Sequence, residues 1–127
     1  MTHKTEAVTN AMLKLALDAA SLNHQAIANN IANVNTPGYA PARVDFEEQM
    51  ADIRRTLEDG GRVKADMLQG IRPVIVRDLP QADADRTASL DMETAKLAQN
   101  TVQYEALLKV AGMRMSLMNS AINEGKR

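Results

Sequence analysis

Between Ala19 and Ala42 the chain carries no Asp, Glu, Lys or Arg, yet Asn23, Gln25, Asn29, Asn30, Asn33 and Asn35 stand there among small apolar residues. A solvated helix would carry charge on its outer face. A membrane span would have to bury these carboxamides in hydrocarbon, where each unsatisfied polar group costs several kcal/mol. What remains is a helix covered by other protein on most of its circumference. A lone chain of 127 residues cannot supply that much cover, so neighbouring molecules are expected to provide it.

The filling of the core points the same way. The apolar fraction is 45%, enough for one domain, but it includes two Tyr, one Phe and no Trp against eight Met. Aromatic side chains ordinarily make the largest single burials, so Leu, Met, Ile, Val and Ala at helical contacts must serve instead, and an isolated monomer should be marginal. A net charge of −1 and a pI near 6.1 give no electrostatic footprint for nucleic acid or anionic lipid. With no cysteine, disulfides and thiolate metal sites are excluded. The opening MTHKTEAVTNAMLK lacks the apolar run and cleavage site of a signal peptide. If the protein leaves the cytoplasm, it is expected to do so by a route that reads no such segment.

Helical periodicity dominates both ends. From about Thr5 to Val34 the apolar positions fall into two neighbouring seams, Val8, Met12, Leu15, Ala19, Leu22, Ala26 and Leu13, Leu17, Ala20, His24, Ile27, Ile31, Val34. Both alternate steps of four and three, so one helix presents a face wide enough for two partners. Thr36-Pro37-Gly38-Tyr39 then stops it, since Pro37 cannot continue the helix and Gly38 stands where a type II turn needs positive φ. Asp45 to Asp59 reads as a shorter amphipathic helix with Phe46, Met50, Ile53 and Leu57 in its seam, acids in its first turn, and Gly60-Gly61 at its end. Arg62 to Ser89, punctuated by Gly70, Pro73 and Pro80 and containing Val74-Ile75-Val76, reads as a loop with a β-hairpin or single strand, and Asp83, Asp85 and Arg86 as a polar link. In the last third Leu90, Thr94, Leu97, Thr101, Tyr104, Leu108, Ala111, Met115, Met118 and Ile122 restore the helical alternation, with Asp91 as N-cap and Gly112 as an interruption.

The expected fold is mainly α, an elongated antiparallel pair of long terminal helices, coiled-coil-like, with a short helix and a loop or small β element between them. Residues 1–38 form the first long helix and its turn, 39–89 the middle segment, and 90–127 the second long helix, within a single domain. Each long helix would run roughly 48 Å at about 1.5 Å per residue, far beyond the radius of gyration of about 14 Å of a compact globule this size.

No active site emerges. His24 interrupts an apolar seam and has no His or acid at helical ligand spacing, so it reads as a structural, hydrogen-bonded histidine. Asp83-x-Asp85 opens like a calcium loop, but Ala88 and Thr94 hold the places of the obligatory Gly and Glu. Asp45, Glu47 and Glu48 lack any sugar-binding platform that would make them glycosidase carboxylates. No nucleophile elbow, phosphate loop or dinucleotide fingerprint is present. The reading is therefore not an enzyme, with no cofactor, metal, nucleic acid or small-molecule substrate.

What the pattern does offer is contact surface. The expected subunit interface comprises Leu13, Leu17, Leu22, Ile27, Asn29, Asn30, Ile31, Asn33 and Val34 on the first helix and Leu97, Tyr104, Leu108, Met115, Met118 and Ile122 on the last. Thr36, Pro37, Gly38 and Tyr39 form the turn. Asn29, Asn30 and Asn33 are expected to fix register, because a polar group in a packed seam is satisfied only in the right alignment.

The run Ala28-Asn29-Asn30-Ile31-Ala32-Asn33-Val34-Asn35-Thr36-Pro37-Gly38-Tyr39 resembles the N-terminal signature of bacterial flagellar rod and hook proteins, in which a long helix ends in an Asn-rich stretch and a Thr-Pro-Gly-Tyr turn. Leu90 to Ile122 resembles the C-terminal helix of the family's proximal-rod members. Ala40-Pro41 departs from it, since relatives usually place a basic or polar residue after the turn. The resemblance implies a structural subunit of the basal-body rod, the drive shaft that crosses the periplasm. It implies contacts with other copies of the chain, other rod proteins and a rod-base adaptor, and passage through the flagellar type III export apparatus. A helical export chaperone or adaptor, a different rod subunit and, more remotely, a wall-lytic enzyme stand as alternatives.

Overall fold

The computed structural model describes residues 2–80 and 86–126. The chain is mainly helical, in the order α1 (Thr2–Ala32), β1 (Ala42–Asp45), α2 (Glu47–Glu58), α3 (Ala65–Gln69), β2 (Val74–Arg77) and α4 (Arg86–Gly125). Asp83 and Asp85 of the expected polar link lie outside the described residues.

The two long helices pack against each other in opposite directions. Asn10 meets Arg114, Asn23 meets Asn100, and Asn30 meets Glu93, so residue numbers fall along one helix as they rise along the other. The partly covered face of α4 runs through Glu93, Leu97, Asn100, Leu107, Ala111 and Arg114. That stripe coincides with the sequence-derived seam at Leu97 and Ala111, but elsewhere it is rotated about one residue away. Leu108, Met115, Met118 and Ile122 consequently point away from α1 and stay exposed. The rotation has a polar cause. Asn100 is buried and clamps α1, and its side chain sets which face turns inward.

Over its N-terminal half α1 meets two partners, both within the chain, but Met12 of the first expected seam stays exposed and Ala11 packs in its stead. Leu13, Leu17 and Ala20 lie on the side of α4, while Val8, Ala11 and Leu15 pack on a small core of Ile53, Leu68 and Ile71 supplied by the middle segment. Phe46, Met50, Val63 and Met67 complete that core. His24 is exposed and makes no hydrogen bond among the described residues. It is therefore not the bonded seam residue expected, because the cover of α1 at that level comes through the neighbouring Asn23 and Ile27.

The middle segment is more ordered than its sequence suggests. Val74-Ile75-Val76 does form a strand, but its antiparallel partner is Ala42–Asp45, with Ala42 opposite Arg77 and Asp45 opposite Val74, rather than the other arm of a hairpin. Asp45 thus belongs to β1 and lies 3.6 Å from Arg43, not in the first turn of α2. The end of α2 is a Schellman arrangement, with Gly61 N–H donating to the Thr56 carbonyl at 2.8 Å and Gly60 N–H to the Leu57 carbonyl at 3.1 Å. Gly60 has φ 73°, the left-handed conformation this cap requires. The single-turn helix α3 was not legible in the sequence. Its Leu68 is one anchor of the small core. Helix α4 begins at Arg86, ahead of the expected cap Asp91, and passes Gly112 without a break.

Candidate subunit interface

Two features with different jobs make up the site, a set of buried amides that fix the subunit's own geometry and a set of uncovered helix faces.

The first amide is Asn30, only 7% exposed. Its Nδ2 donates to the Ala42 carbonyl at 2.8 Å and to Glu93 Oε2 at 3.2 Å. Its Oδ1 accepts from the Ala42 N–H at 2.7 Å and from the Tyr39 hydroxyl at 3.0 Å. The side chain thereby imitates a neighbouring strand for Ala42 and ties α1, the turn, β1 and α4 together at one point. Asn100, 3% exposed, works along the helix pair. Its Nδ2 donates to the Ala20 carbonyl at 2.9 Å, and its Oδ1 accepts from Asn23 Nδ2 at 3.0 Å. Gln49 repeats the two-point clamp in the middle segment, donating to the Arg72 carbonyl at 2.8 Å and accepting from the Arg72 N–H at 2.7 Å. A carboxamide has both donor and acceptor on one plane, so it can pair with a whole peptide group without bringing a charge into a dry seam.

Of the three asparagines singled out for register at the subunit interface, Asn30 is buried, but inside the chain, with Ala42, Tyr39 and Glu93 as its partners. Asn33 is half-buried and finishes the helix, donating to the Asn29 carbonyl at 2.9 Å and accepting from the Thr36 hydroxyl at 3.2 Å. The Asn29 side chain is exposed. Asn100, missed as a register residue, could have been found by its place. Asn100 lies three residues after Leu97 and one before the expected seam's Thr101, a polar position in the neighbouring stripe of Leu97, Tyr104, Leu107 and Ala111. The turn follows the sequence reading: Tyr39 N–H donates to the Thr36 carbonyl at 3.2 Å, Gly38 has φ 71°, and Arg77 lies over the Tyr39 ring at 5.4 Å.

The remaining interface residues divide sharply by helix. Ile27 is buried and Leu13, Leu17, Leu22, Ile31 and Val34 are half-buried within the chain. On α4 Leu97 is half-buried, whereas Tyr104 is 36% exposed, Leu108 47%, Met115 66%, Met118 50% and Ile122 54%. Around these, Val102, Val110, Met113 and Leu117 are also open. On the outer side of α1 a second bare face, Ser21, Gln25, Ala28 and Ala32, is exposed and wholly uncharged. No helix among the described residues is long and apolar enough to cross a membrane, and no group of His, Asp and Glu among them could hold a metal ion.

Comparison with known proteins gives these features a context. The flagella basal body rod protein family matches residues 15–39, the second half of α1 and the turn. The flagellar basal body rod protein FlgB of Bacillus subtilis is 28% identical over 119 residues, covering 90% of this chain and 92% of its own length. The FlgB protein of Salmonella typhimurium is 26% identical over 126 residues, covering 87% of this chain and 89% of its own length. The flagellar basal-body rod protein FlgG of Agrobacterium fabrum is 42% identical over 45 residues, covering 35% of this chain and 17% of its own length.

A long N-terminal helix that ends in an Asn-rich turn and a long C-terminal helix packed against it, together with these matches, make the chain similar to flagellar basal body rod proteins. The likeness that extends along nearly the whole chain is to the FlgB proteins.

Proposed function

We infer that the chain is a structural, non-enzymatic subunit of the proximal flagellar rod, held in place by helix packing against its neighbours. One observation carries the reading: from Val102 to Ile122 α4 leaves large apolar side chains uncovered on faces that α1 does not reach. Exposed patches of this extent mark protein contact. Burial of apolar area at about 25 cal/mol per Å² would make each covered side chain contribute on the order of 1 kcal/mol. The uncharged outer face of α1 adds no ion that must be desolvated, so it can close against a neighbour at small cost.

In this reading Leu108, Met115, Met118 and Ile122, with the outer residues of α1, are the subunit interface, and Ile27 and Asn30 hold the subunit itself. The α1–α4 pair acts as a coiled-coil-like strut. Contacts run head to tail and propagate instead of closing. The neighbours are other copies of this chain, rod proteins of the FlgC type, the distal rod and the rod-base adaptor FliE. The chain reaches the periplasm through the flagellar type III export apparatus. Residues 1–38, 39–89 and 90–127 act as one domain with the middle segment as its outer knob.

The test is complementation of a strain lacking its own FlgB, with isolation of basal bodies. The unmodified chain should appear in the rod and restore swimming, while Met118→Asp should be made and exported but absent from the rod. Incorporation of Met118→Asp at the unmodified level, or absence of the unmodified chain from basal bodies, would overturn the proposal.

A further inference from the structure

One stripe of α4 is distinct from the seam on α1 and from the Leu108, Met115 and Ile122 side. Ala106, Val110, Met113 and Leu117 are spaced by four, three and four residues, the alternation of a and d positions in a coiled coil. All are exposed, Val110 at 47%, Met113 at 60% and Leu117 at 70%. In that frame Lys109 immediately precedes an a position and Arg114 immediately follows a d position. The apolar ridge therefore has one cation on each flank, at the g and e places that choose coiled-coil partners. Neither cation makes an ion pair among the described residues. Glu105, one turn before Lys109, does not reach it. Arg114 uses Nε and Nη2 on the neutral Asn10 Oδ1, at 3.2 and 3.1 Å, which aligns the guanidinium at the lip of the α1–α4 seam and leaves its Nη1 donors open. From Ala106 to Asn123 no acidic residue occurs.

We propose that this stripe is a docking site for a helix of a different protein, one whose own apolar heptad seam is flanked by carboxylates. Lys109 and Arg114 select that partner by charge, and Val110, Met113 and Leu117 bury its seam. The proposal rests on the reading of exposed α4 as a contact surface but not on self-assembly. A second copy of this chain does not fit. From Ala19 to its end at Ala32 α1 is uncharged. The seam of α2 already buries Ile53 and holds Met50 against the core, and Arg54 stands at its flank. Another α4 would set like charges against Lys109 and Arg114, and α3 is a single turn.

The probe is a fluorescein-labelled synthetic four-heptad peptide with Ile and Leu at its a and d positions and Glu at every e and g, matched by a peptide with Lys at those places. The full-length chain should bind the Glu peptide about tenfold or more tightly than the Lys peptide, in a salt-sensitive manner. Lys109→Glu combined with Arg114→Glu, checked for unchanged helicity by circular dichroism, should invert that preference. Leu117→Ser should weaken the Glu peptide without changing the preference. Equal binding of both peptides, binding of neither, or a preference that survives the double charge reversal would overturn the proposal. So would self-association of the unmodified chain that the Glu peptide cannot displace and that Leu117→Ser abolishes. Rod incorporation in the complementation experiment is independent of these outcomes, so failure here is distinguishable from failure of the rod assignment.

Discussion

Replacing Asn30 with Ala should be the most damaging small change in the fold. Ala42 is 4% exposed, and its carbonyl and N–H face Asn30 at 2.8 and 2.7 Å. Truncation leaves both groups buried without those partners, each at a cost of about 1–3 kcal/mol. The Tyr39 hydroxyl is only part-buried and can turn to water. Glu93 keeps Lys96, 3.3 Å away, so these two add little. The expected loss is about 2–6 kcal/mol, against a total of roughly 5–15 kcal/mol for an ordinary domain. Asn30→Asp should lose at least as much, since it gives up both donated bonds and sets a carboxylate against Glu93. The assay is urea unfolding followed by circular dichroism at fixed protein concentration, with hydrogen exchange of the Ala42 amide as local readout. A loss of stability below about 0.5 kcal/mol, the range of an unremarkable surface change, with Ala42 still protected, would refute the claim that Asn30 holds this corner.

Asn100→Ala should cost about 1–3 kcal/mol by freeing the Ala20 carbonyl and Asn23, and a cysteine pair placed across Asn10 and Arg114 should then cross-link less efficiently; unchanged cross-linking would show that register is set elsewhere. Gly38→Val has open space for its side chain, so its whole effect should come from φ 71°, on the order of 1–3 kcal/mol, with Asn at that position recovering part of it on thermal unfolding. Met115→Asp should leave the unfolding midpoint of the isolated chain unchanged, because the residue is 66% exposed, yet prevent incorporation into rods; a fall in the midpoint would place Met115 in the subunit's own core. In dilute solution hydrogen exchange should protect α4 around Leu97 to Leu107 and leave the stretch after Arg114 open, the order reversing to protection throughout once the chain is assembled.

Both long helices were legible because their apolar residues recur at steps of three and four and each is bounded by a firm signal, Pro37-Gly38 after α1 and the polar link ahead of α4. The face that α4 turns inward was not legible, because apolar periodicity cannot tell a covered stripe from a bare one when both are apolar. Tyr104, Leu108, Met115 and Ile122 look like seam residues, yet the buried amide of Asn100 turns the helix the other way. The pairing of β1 with β2 was hidden for a similar reason. Ala42–Asp45 has only one apolar residue of any size, and what makes it a strand is Asn30 on one edge and Val74–Arg77 on the other. His24 was misread because its seam position predicts cover, whereas cover at that level reaches Leu22, Asn23, Ala26 and Ile27 and leaves His24 exposed.

These misreadings share one physical root, which also says how such a subunit can be both specific and sticky. Apolar contact alone does not choose among the several stripes of α4, since sliding or rotating a helix by one stripe exchanges one set of Leu, Met and Val contacts for another of similar worth. A buried amide breaks that degeneracy. Asn100 reaches the Ala20 carbonyl and Asn23 in one register only, and Asn30 reaches Ala42 and Glu93 only when β1 and α4 are both in place. Any other arrangement strands a carboxamide in an apolar seam at about 1–3 kcal/mol. Because the locks are neutral, they avoid the desolvation cost of a buried ion pair. They are also confined to the inside of the chain, so the outer stripes of α1 and α4 stay apolar or uncharged and free to meet neighbours without first separating from a competing internal contact. A variant that moved the lock outward, such as Asn100→Leu with Leu108→Asn, should therefore turn α4 toward the stripe that is now bare. It should retain helix by circular dichroism while losing rod incorporation, and retention of both would show that the amides do not choose the face.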